Sequence, residues 1–377
     1  MSLTPGQDVV AMLQSLVRIP SVNPLANPAP GEGGELRCAE AVANYLRALG
    51  AEEVSLPEVL PGRPNVLGRM PSDREGKPRL LLAPHLDTVG VAGMTVDPFA
   101  AEERDGRIWG RGATDTKGTM SAMLRALWAL RDIIPGLDHE IWFAGLMGEE
   151  AGNEGAAWIV SSGFRADFAL IGEPTSCDVL YAHKGATWLR LITRGVAAHA
   201  ADPQRGVNAI YKMADVARAV RDELMPALAA KPDPLLGAAT ASLGLIGGGR
   251  KINVVPDLCE AELDLRTLPN QQGDDFLDEV GSLLSRGGGE VEVELMRRHP
   301  PMFTDPNHPM LERFTRVGAK LVTASWFCDG SLLSQGGIPS VAAGPGSIAQ
   351  AHTVDEFIEI EELRRGVDFY KAFLCQC

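Results

Sequence analysis

Long apolar runs are the first thing missing from this sequence. No uninterrupted stretch approaches the roughly 20 residues that a membrane-spanning helix needs. The start, Met1-Ser-Leu-Thr-Pro-Gly-Gln-Asp8, carries neither the basic nor the apolar region of a signal peptide, so the cytoplasm is the expected location. Paired cysteines are also missing. Cys38, Cys177, Cys259, Cys328, Cys375 and Cys377 are scattered without a Cys-x-x-Cys unit, which points to reduced, mostly buried thiols rather than a disulfide frame. Cys375-Gln-Cys377 reads as a frayed tail, with metal binding or oxidation as the alternative. Basic charge is scarce: 35 Lys and Arg against 49 Asp and Glu leave a formal net charge of −14. That balance argues against nucleic acid or an anionic membrane as the main partner. Several catalytic signatures are absent as well: a Gly-x-Ser-x-Gly elbow, a His-Glu-x-x-His helix and a Walker loop. The runs Gly247–Gly249 and Gly287–Gly289 do not continue into Gly-Lys-Ser/Thr, so they read as hairpin or linker. Gly344-x-Gly346-x-x-Ala349 is a loose dinucleotide match, but it contains Pro345 and follows the last sheet-forming segments.

What the chain does have is 377 residues with an enzyme-like composition, 45% hydrophobic and 22% charged, long enough for two domains. Apolar runs repeatedly stop at an acid or a histidine. Arg79-Leu-Leu-Leu-Ala83 leads into Pro84-His85-Leu86-Asp87, and Ile141–Met147 into Gly148-Glu149-Glu150. Asp167–Ile171 leads into Gly172-Glu173, and the strand-like run near Arg107 into Gly-Ala-Thr-Asp115. Each cluster alone has a plain reading. Adjacent glutamates open solvated helices, Asp precedes helices as a cap, and histidines occupy turns. Four in succession carry more weight, because parallel strands joined by helices bring their C-terminal ends to one sheet edge.

Helical spacing marks a first helix from Val9, capped by Thr4-Pro5, and others over 35–49, 119–131, 310–321 and 356–373. Pro20, Pro24, Pro28 and Pro30 enforce a loop between the first two. Between about 182 and 296 the order becomes strand, helix, strand, strand, helix, strand, a split ferredoxin-like pattern. The expected architecture is α/β: a mostly parallel-sheet catalytic domain over 1–181 and 297–377, with an inserted α+β domain over 182–296.

Histidines mixed with carboxylates suit zinc, cobalt or manganese better than calcium, which prefers oxygen ligands. Five such ligands exceed the usual three of one catalytic zinc but fit two metals sharing a carboxylate. Such a pair polarises a carbonyl and activates water near neutral pH, which points to hydrolysis of an amide or similar bond.

The motifs His85-Leu-Asp87, Gly110-Arg-Gly-Ala-Thr-Asp115-Thr-Lys-Gly118, Glu149-Glu150, Ile171-Gly-Glu-Pro174 and Gln350-Ala-His352 run in order along nearly the whole chain. They resemble those of a dinuclear-zinc amidohydrolase and exopeptidase family. That family contains acetylornithine deacetylase, succinyl-diaminopimelate desuccinylase, aminoacylase and glutamate carboxypeptidase. The resemblance implies a zinc-exopeptidase-like catalytic domain and an inserted lid and dimerisation domain, hence a homodimer. It also implies one metal on His85, Asp115 and Glu173, and a second on Asp115, Glu150 and His352. Asp87 would orient His85, and Glu149 would be the general base and acid.

The resemblance further implies that His199, in Gly195-Val-Ala-Ala-His199, enters the partner's active site as an oxyanion donor. Asn253 and Arg266 would bind substrate, Arg266 clamping an α-carboxylate. A salt bridge from Arg266 to Asp264 or Glu262 is the alternative for that arginine. Ala182-His-Lys-Gly185, Asp202–Ala209 and Gly344–His352 look most like the acetylornithine deacetylases, which implies an N-acyl amino acid substrate and a place in arginine biosynthesis. Phe327-Cys-Asp-Gly-Ser331 departs from that pattern and is expected to shape the acyl or side-chain pocket. A dipeptidase, carboxypeptidase or desuccinylase on the same scaffold is the enzymatic alternative. A catalytically silent binding protein is the remote one.

Overall fold

The computed structural model describes residues 3–29, 31–286 and 290–377. The Gly287–Gly289 run, Pro30 of the proline loop and the first two residues lie outside the described residues. Among the described residues no helix is long and apolar enough to cross a membrane.

The chain divides into two units. The first holds residues up to Tyr181 together with Thr304–Val322 and Cys328–Cys377; the second holds Ala182–Phe303 and Thr323–Phe327. The second unit therefore runs past the expected end at 296, because its last sheet strand is Glu292–His299 rather than a segment closing at Leu295.

In the first unit, the strands Glu140–Gly145, Arg79–Pro84, Phe168–Gly172 and Ser340–Ala342 lie side by side in that order and are parallel. Val66–Arg69 and Glu53–Ser55 extend one edge antiparallel, and Val179–His183 pairs antiparallel with Ser340–Ala342 on the other. Leu80 to Pro84 are all buried, so side chains pointing to both faces are covered, as a parallel sheet requires. That explains why these strands read as continuous apolar runs in the sequence instead of alternating. The helix Lys117–Leu130 packs against Ile360–Leu374 and Val9–Val17. Phe314 stacks on Phe373 with ring centroids 3.8 Å apart.

Four local expectations change. Asp8, not Thr4, caps the first helix, its carboxylate accepting from Val10 N at 3.0 Å. The chain before Asp115 is the strand Arg107–Trp109 of a small three-stranded sheet, so Asp115 does not sit at the end of a central strand. Phe357–Glu359, expected as the start of the last helix, is a strand paired with Arg107–Trp109, and the helix begins at Ile360. Cys377 is not frayed: it is buried, and its carbonyl accepts from Asp138 N at 2.5 Å. Of the six cysteines, only Cys375 is exposed.

The second unit is a four-stranded antiparallel sheet in the order Thr240–Gly248, Leu258–Thr267, Gly185–Arg194, Glu292–His299. The helices Ala209–Ala219 and Asp274–Ser285 connect its strands in the split ferredoxin-like sequence. Leu189, Leu191, Leu263 and Leu265 meet Met213, Val216, Val220, Val280 and Leu284 in a core of its own. Gly247 and Gly248 end an edge strand and form no phosphate loop.

Candidate active site

Three neighbouring parallel strands deliver most of the first unit's cluster. His85 follows Arg79–Pro84, Glu173 follows Phe168–Gly172, and Glu149 and Glu150 follow Glu140–Gly145. Backbone pairing continues past the strands, with Leu86 N donating to Leu146 O at 2.7 Å. Glu173 comes close because the residue before it is glycine: a Cβ on Gly172 would lie 2.8 Å from Pro84 Cβ and Thr119 Cγ2. His352 reaches the same edge from the loop after Ser340–Ala342, with a left-handed φ of 59°. Asp115 arrives from the turn before Lys117–Leu130 and does not cap that helix, whose N-cap is Thr116.

Asp115 stands between two groups. Its Oδ1 is 3.0 Å from His85 Nε2 and its Oδ2 is 3.5 Å from His352 Nε2. His352 Nε2 is also 2.9 Å from Glu150 Oε2. His85, Asp115 and Glu173 present donor atoms within 4.8 Å of one another, and so do Asp115, Glu150 and His352. Glu149 belongs to neither set.

The electrostatics are those of crowded acids. Burial, then the charge of Glu173, holds the Glu149 carboxyl well above the usual carboxylate range. Burial and then Asp115 do the same for Glu173. Glu150 is pushed up to about 7 by burial and Asp115, against the hydrogen bond from His352. For His85, burial works against protonation but is outweighed by its hydrogen bonds to Asp115 and Asp87, which hold it well above the ordinary imidazole range.

Asp87 contacts both His85 and the loop of the two glutamates. His85 Nδ1 lies 3.0 Å from the backbone carbonyl of Asp87 and 3.5 Å from its carboxylate. The carboxylate accepts from Glu149 N at 3.0 Å, Glu150 N at 3.1 Å and Asn23 Nδ2 at 2.8 Å. One buried residue thus places the imidazole with its main chain and the two glutamates with its side chain.

Glu356 and Arg111 join the site without a motif of their own. Glu356 accepts from Gly112 N, Thr114 N and Asp115 N at 3.0, 2.7 and 2.9 Å, and from Arg111 Nη1 at 2.8 Å. Arg111 also donates to the carbonyl of Thr353, beside His352, at 3.1 Å. This pair ties the loop of Asp115 to the loop of His352. Arg111 lies inside the glycine-rich run and Glu356 four residues after His352, the only sequence signal either gives.

The donor set suits divalent metals. Oε1 of Glu150 and Oε1 of Glu173 are buried without a hydrogen-bond partner. Buried carboxylates of like charge are costly unless cations or protons compensate them. Two imidazoles with three carboxylates are a borderline-to-hard set of the kind zinc, cobalt and manganese accept.

Residues 81–376 match the description "Peptidase family M20/M25/M40". The chain belongs to this family. An acetylornithine deacetylase from Proteus mirabilis (strain HI4320) is 32% identical over 366 residues, covering 93% of this chain and 92% of the relative. An M20 family metallo-carboxypeptidase from Sulfolobus solfataricus superposes with a TM-score of 0.79 at 20% identity, covering 98% of each chain. A dinuclear metal binding peptidase of the M20 family from Bacillus subtilis gives 0.68 at 16% identity, covering 97% of this chain and 96% of that one. These two share the fold: a catalytic domain with an inserted lid domain. As an M20 family member the chain is a metal-dependent hydrolase.

The remaining M20 candidates lie in the second unit. His199 is exposed, and its Nδ1 accepts from Ala201 N at 3.1 Å, which leaves the proton on Nε2. Asn253 is exposed in the adjoining turn, its carbonyl accepting from Ala200 N at 3.1 Å. Arg266 Nε donates to Asp264 Oδ1 at 2.9 Å, and Trp188 Nε1 holds the other oxygen at 2.8 Å. The salt bridge weighed as an alternative for Arg266 is therefore present.

Replacing Glu356 by alanine strands Arg111 and frees three loop amides. We expect a loss of about 3–5 kcal/mol in urea unfolding, with faster hydrogen exchange at Thr114 and Asp115. Unchanged protection there would count against the tie.

Proposed function

We propose that the chain hydrolyses the amide bond of an N-acyl amino acid, with N-acetylornithine-like substrates favoured. The observation that carries this is the partition of the acids: two donor groups share Asp115, and Glu149 stands beside them in neither. The relatedness to an acetylornithine deacetylase supports the substrate class.

His85, Asp115 and Glu173 would hold one divalent metal and Asp115, Glu150 and His352 a second, zinc foremost, with cobalt or manganese as alternatives. When bound, the metals supply Lewis acidity toward the substrate carbonyl and acidify water. Glu149 takes a proton as water adds to the carbonyl carbon. It returns that proton to the nitrogen as the C–N bond breaks, so amide and water become carboxylate and amine. Asp87 fixes where Glu149 starts by holding its N–H. His199, with its proton on Nε2, is the donor for the carbonyl oxygen as negative charge develops there. Arg266, its Nε held by Asp264, keeps its Nη groups for a substrate carboxylate, and Asn253 adds a polar contact.

We place His199 in the active site of a second copy, in a homodimer formed through the inserted domain. The exposed Leu245 and Ile246 on the edge strand Thr240–Gly248, with Tyr211 and Ile252, support that surface. Five buried cysteines are consistent with a cytoplasmic enzyme. A dipeptidase, carboxypeptidase or succinyl-diaminopimelate desuccinylase is the second reading, because a metallo-carboxypeptidase shares the fold.

The deciding experiment is a panel of N-acetylornithine, N-succinyl-diaminopimelate, N-acetyl amino acids and dipeptides, each with zinc and with cobalt. Highest kcat/KM on N-acetylornithine is expected, and preference for dipeptides would overturn the substrate assignment. Elemental analysis should find two metals per chain. Glu149→Ala should keep both and lose turnover by about 10² to 10⁴-fold, whereas Glu150→Ala should lose metal as well. Near-normal turnover of Glu149→Ala would remove its role. Mixing Glu149→Ala with His199→Ala chains should restore activity after subunit exchange, and none in verified mixed dimers would rule out action across the dimer.

A further inference from the structure

The loop carrying Glu149 and Glu150 is held at both ends by buried carboxylates. Asp87 holds the beginning. The end is held by Asp329, a residue to which the mechanism above gives no task. Asp329 is 1% exposed, and its Oδ1 accepts from Asn153 Nδ2 at 2.8 Å. Its Oδ2 is buried without a partner. A buried carboxylate with one hydrogen bond, its charge facing those of Glu149 and Glu173, is an expensive way to fill space.

Asn153 shows what that contact does. It is the residue on which the loop turns into the helix Glu154–Ser161, with a left-handed φ of 56°. Asparagine at that place ordinarily turns its side chain onto the amides of the first helical turn. Here it makes no such bond, and its amide goes to Asp329 instead. Its backbone N–H donates to Gly148 O at 2.7 Å, and Gly152 N donates to the same carbonyl at 2.9 Å. Gly148 immediately precedes Glu149, so the anchored end of the loop is bonded directly to its start. There is no slack between them: a Cβ on Gly148 would lie 2.6 Å from Glu154 Oε2, and one on Gly152 would collide with the same carboxylate.

We propose that Asp329 is a positioning residue that, through Asn153, fixes the far end of the 148–153 loop and thereby the place of the Glu149 carboxyl. This rests on the reading that Glu149 moves the proton. It also gives the segment Phe327-Cys-Asp-Gly-Ser331 a different task from shaping the substrate pocket.

Exchanging the partners tests it. Asn153→Asp sets two carboxylates against each other, whereas Asn153→Asp with Asp329→Asn restores the hydrogen bond in the opposite sense. On the best substrate of the panel, Asn153→Asp should lose about 10²-fold in kcat, the effect of misplacing a reacting group by about an ångström. KM and metal content should stay at wild-type values, and the exchanged pair should recover most of the loss. Asn153→Gly accepts the left-handed backbone without the amide. It should repeat the kcat loss with a native circular dichroism spectrum and a somewhat lowered Tm, because the Asp329 carboxylate loses its partner, which covers the case in which Asn153→Asp does not fold. The proposal is overturned if both Asn153 variants stay within about threefold of wild-type kcat, or if the exchanged pair is no better than Asn153→Asp. Glu149→Ala is assayed alongside. Its loss with an unaffected exchange series removes only the role of Asp329, whereas its survival removes the reading beneath it.

Discussion

Like-charge crowding at one sheet edge is the constraint on which the first unit depends. Asp115, Glu149, Glu150, Glu173 and Asp329 converge where three parallel strands end; burial, then neighbouring acids, pushes the carboxyls of Glu149, Glu150 and Glu173 up. No water-like dielectric separates them, so the fold has to answer the repulsion with specific partners. It does so with His85 and His352 inside the cluster and with backbone amides, Arg111 and Asn153 around it. The hydrophobic core beneath supplies stability, but it does not by itself place a single carboxyl oxygen.

The division of labour among these acids follows from what each one touches. Asp115 meets a histidine on either side and so belongs to both donor groups. Asp87, Asp329 and Glu356 bond mainly to backbone or amide N–H groups and act on the shape of loops. Glu149 makes neither kind of contact through its carboxyl among the hydrogen bonds of the described residues, and that leaves it available for a proton. The same residue type thus takes three tasks on one edge, sorted by geometry.

Much of this was legible in the sequence, and the reason is local. A buried parallel strand is a compact apolar run, so an acid or histidine directly after it stands out; His85, Glu149, Glu150 and Glu173 were found that way. Asp115 follows a strand, as the sequence implies, but that strand belongs to a small separate sheet. Glu356 falls inside the helix that the period of Ile360, Leu363 and Val367 implies, a period that the short preceding strand does not interrupt. Asp329 and Glu356 escaped for a common reason: their partners are 176 and up to 245 residues away, and no spacing rule spans such distances. In the second unit the alternation of Gly185–Arg194 and Leu258–Thr267 made the topology readable, whereas the exposed positions His199 and Asn253 gave no local pattern of their own.

The bond from Glu356 to the amide of Asp115 closes a loop of 241 residues. Contacts that far apart form late, because the entropy of closing the loop is spent before they return anything. A chain still emerging from the ribosome therefore holds His85, Asp115, Glu150 and Glu173 well before it holds His352 or the carboxylate that sets the Asp115 loop. A fragment ending short of residue 352 has the donors of the first group but lacks His352 of the second and the Glu356 carboxylate that sets the Asp115 loop.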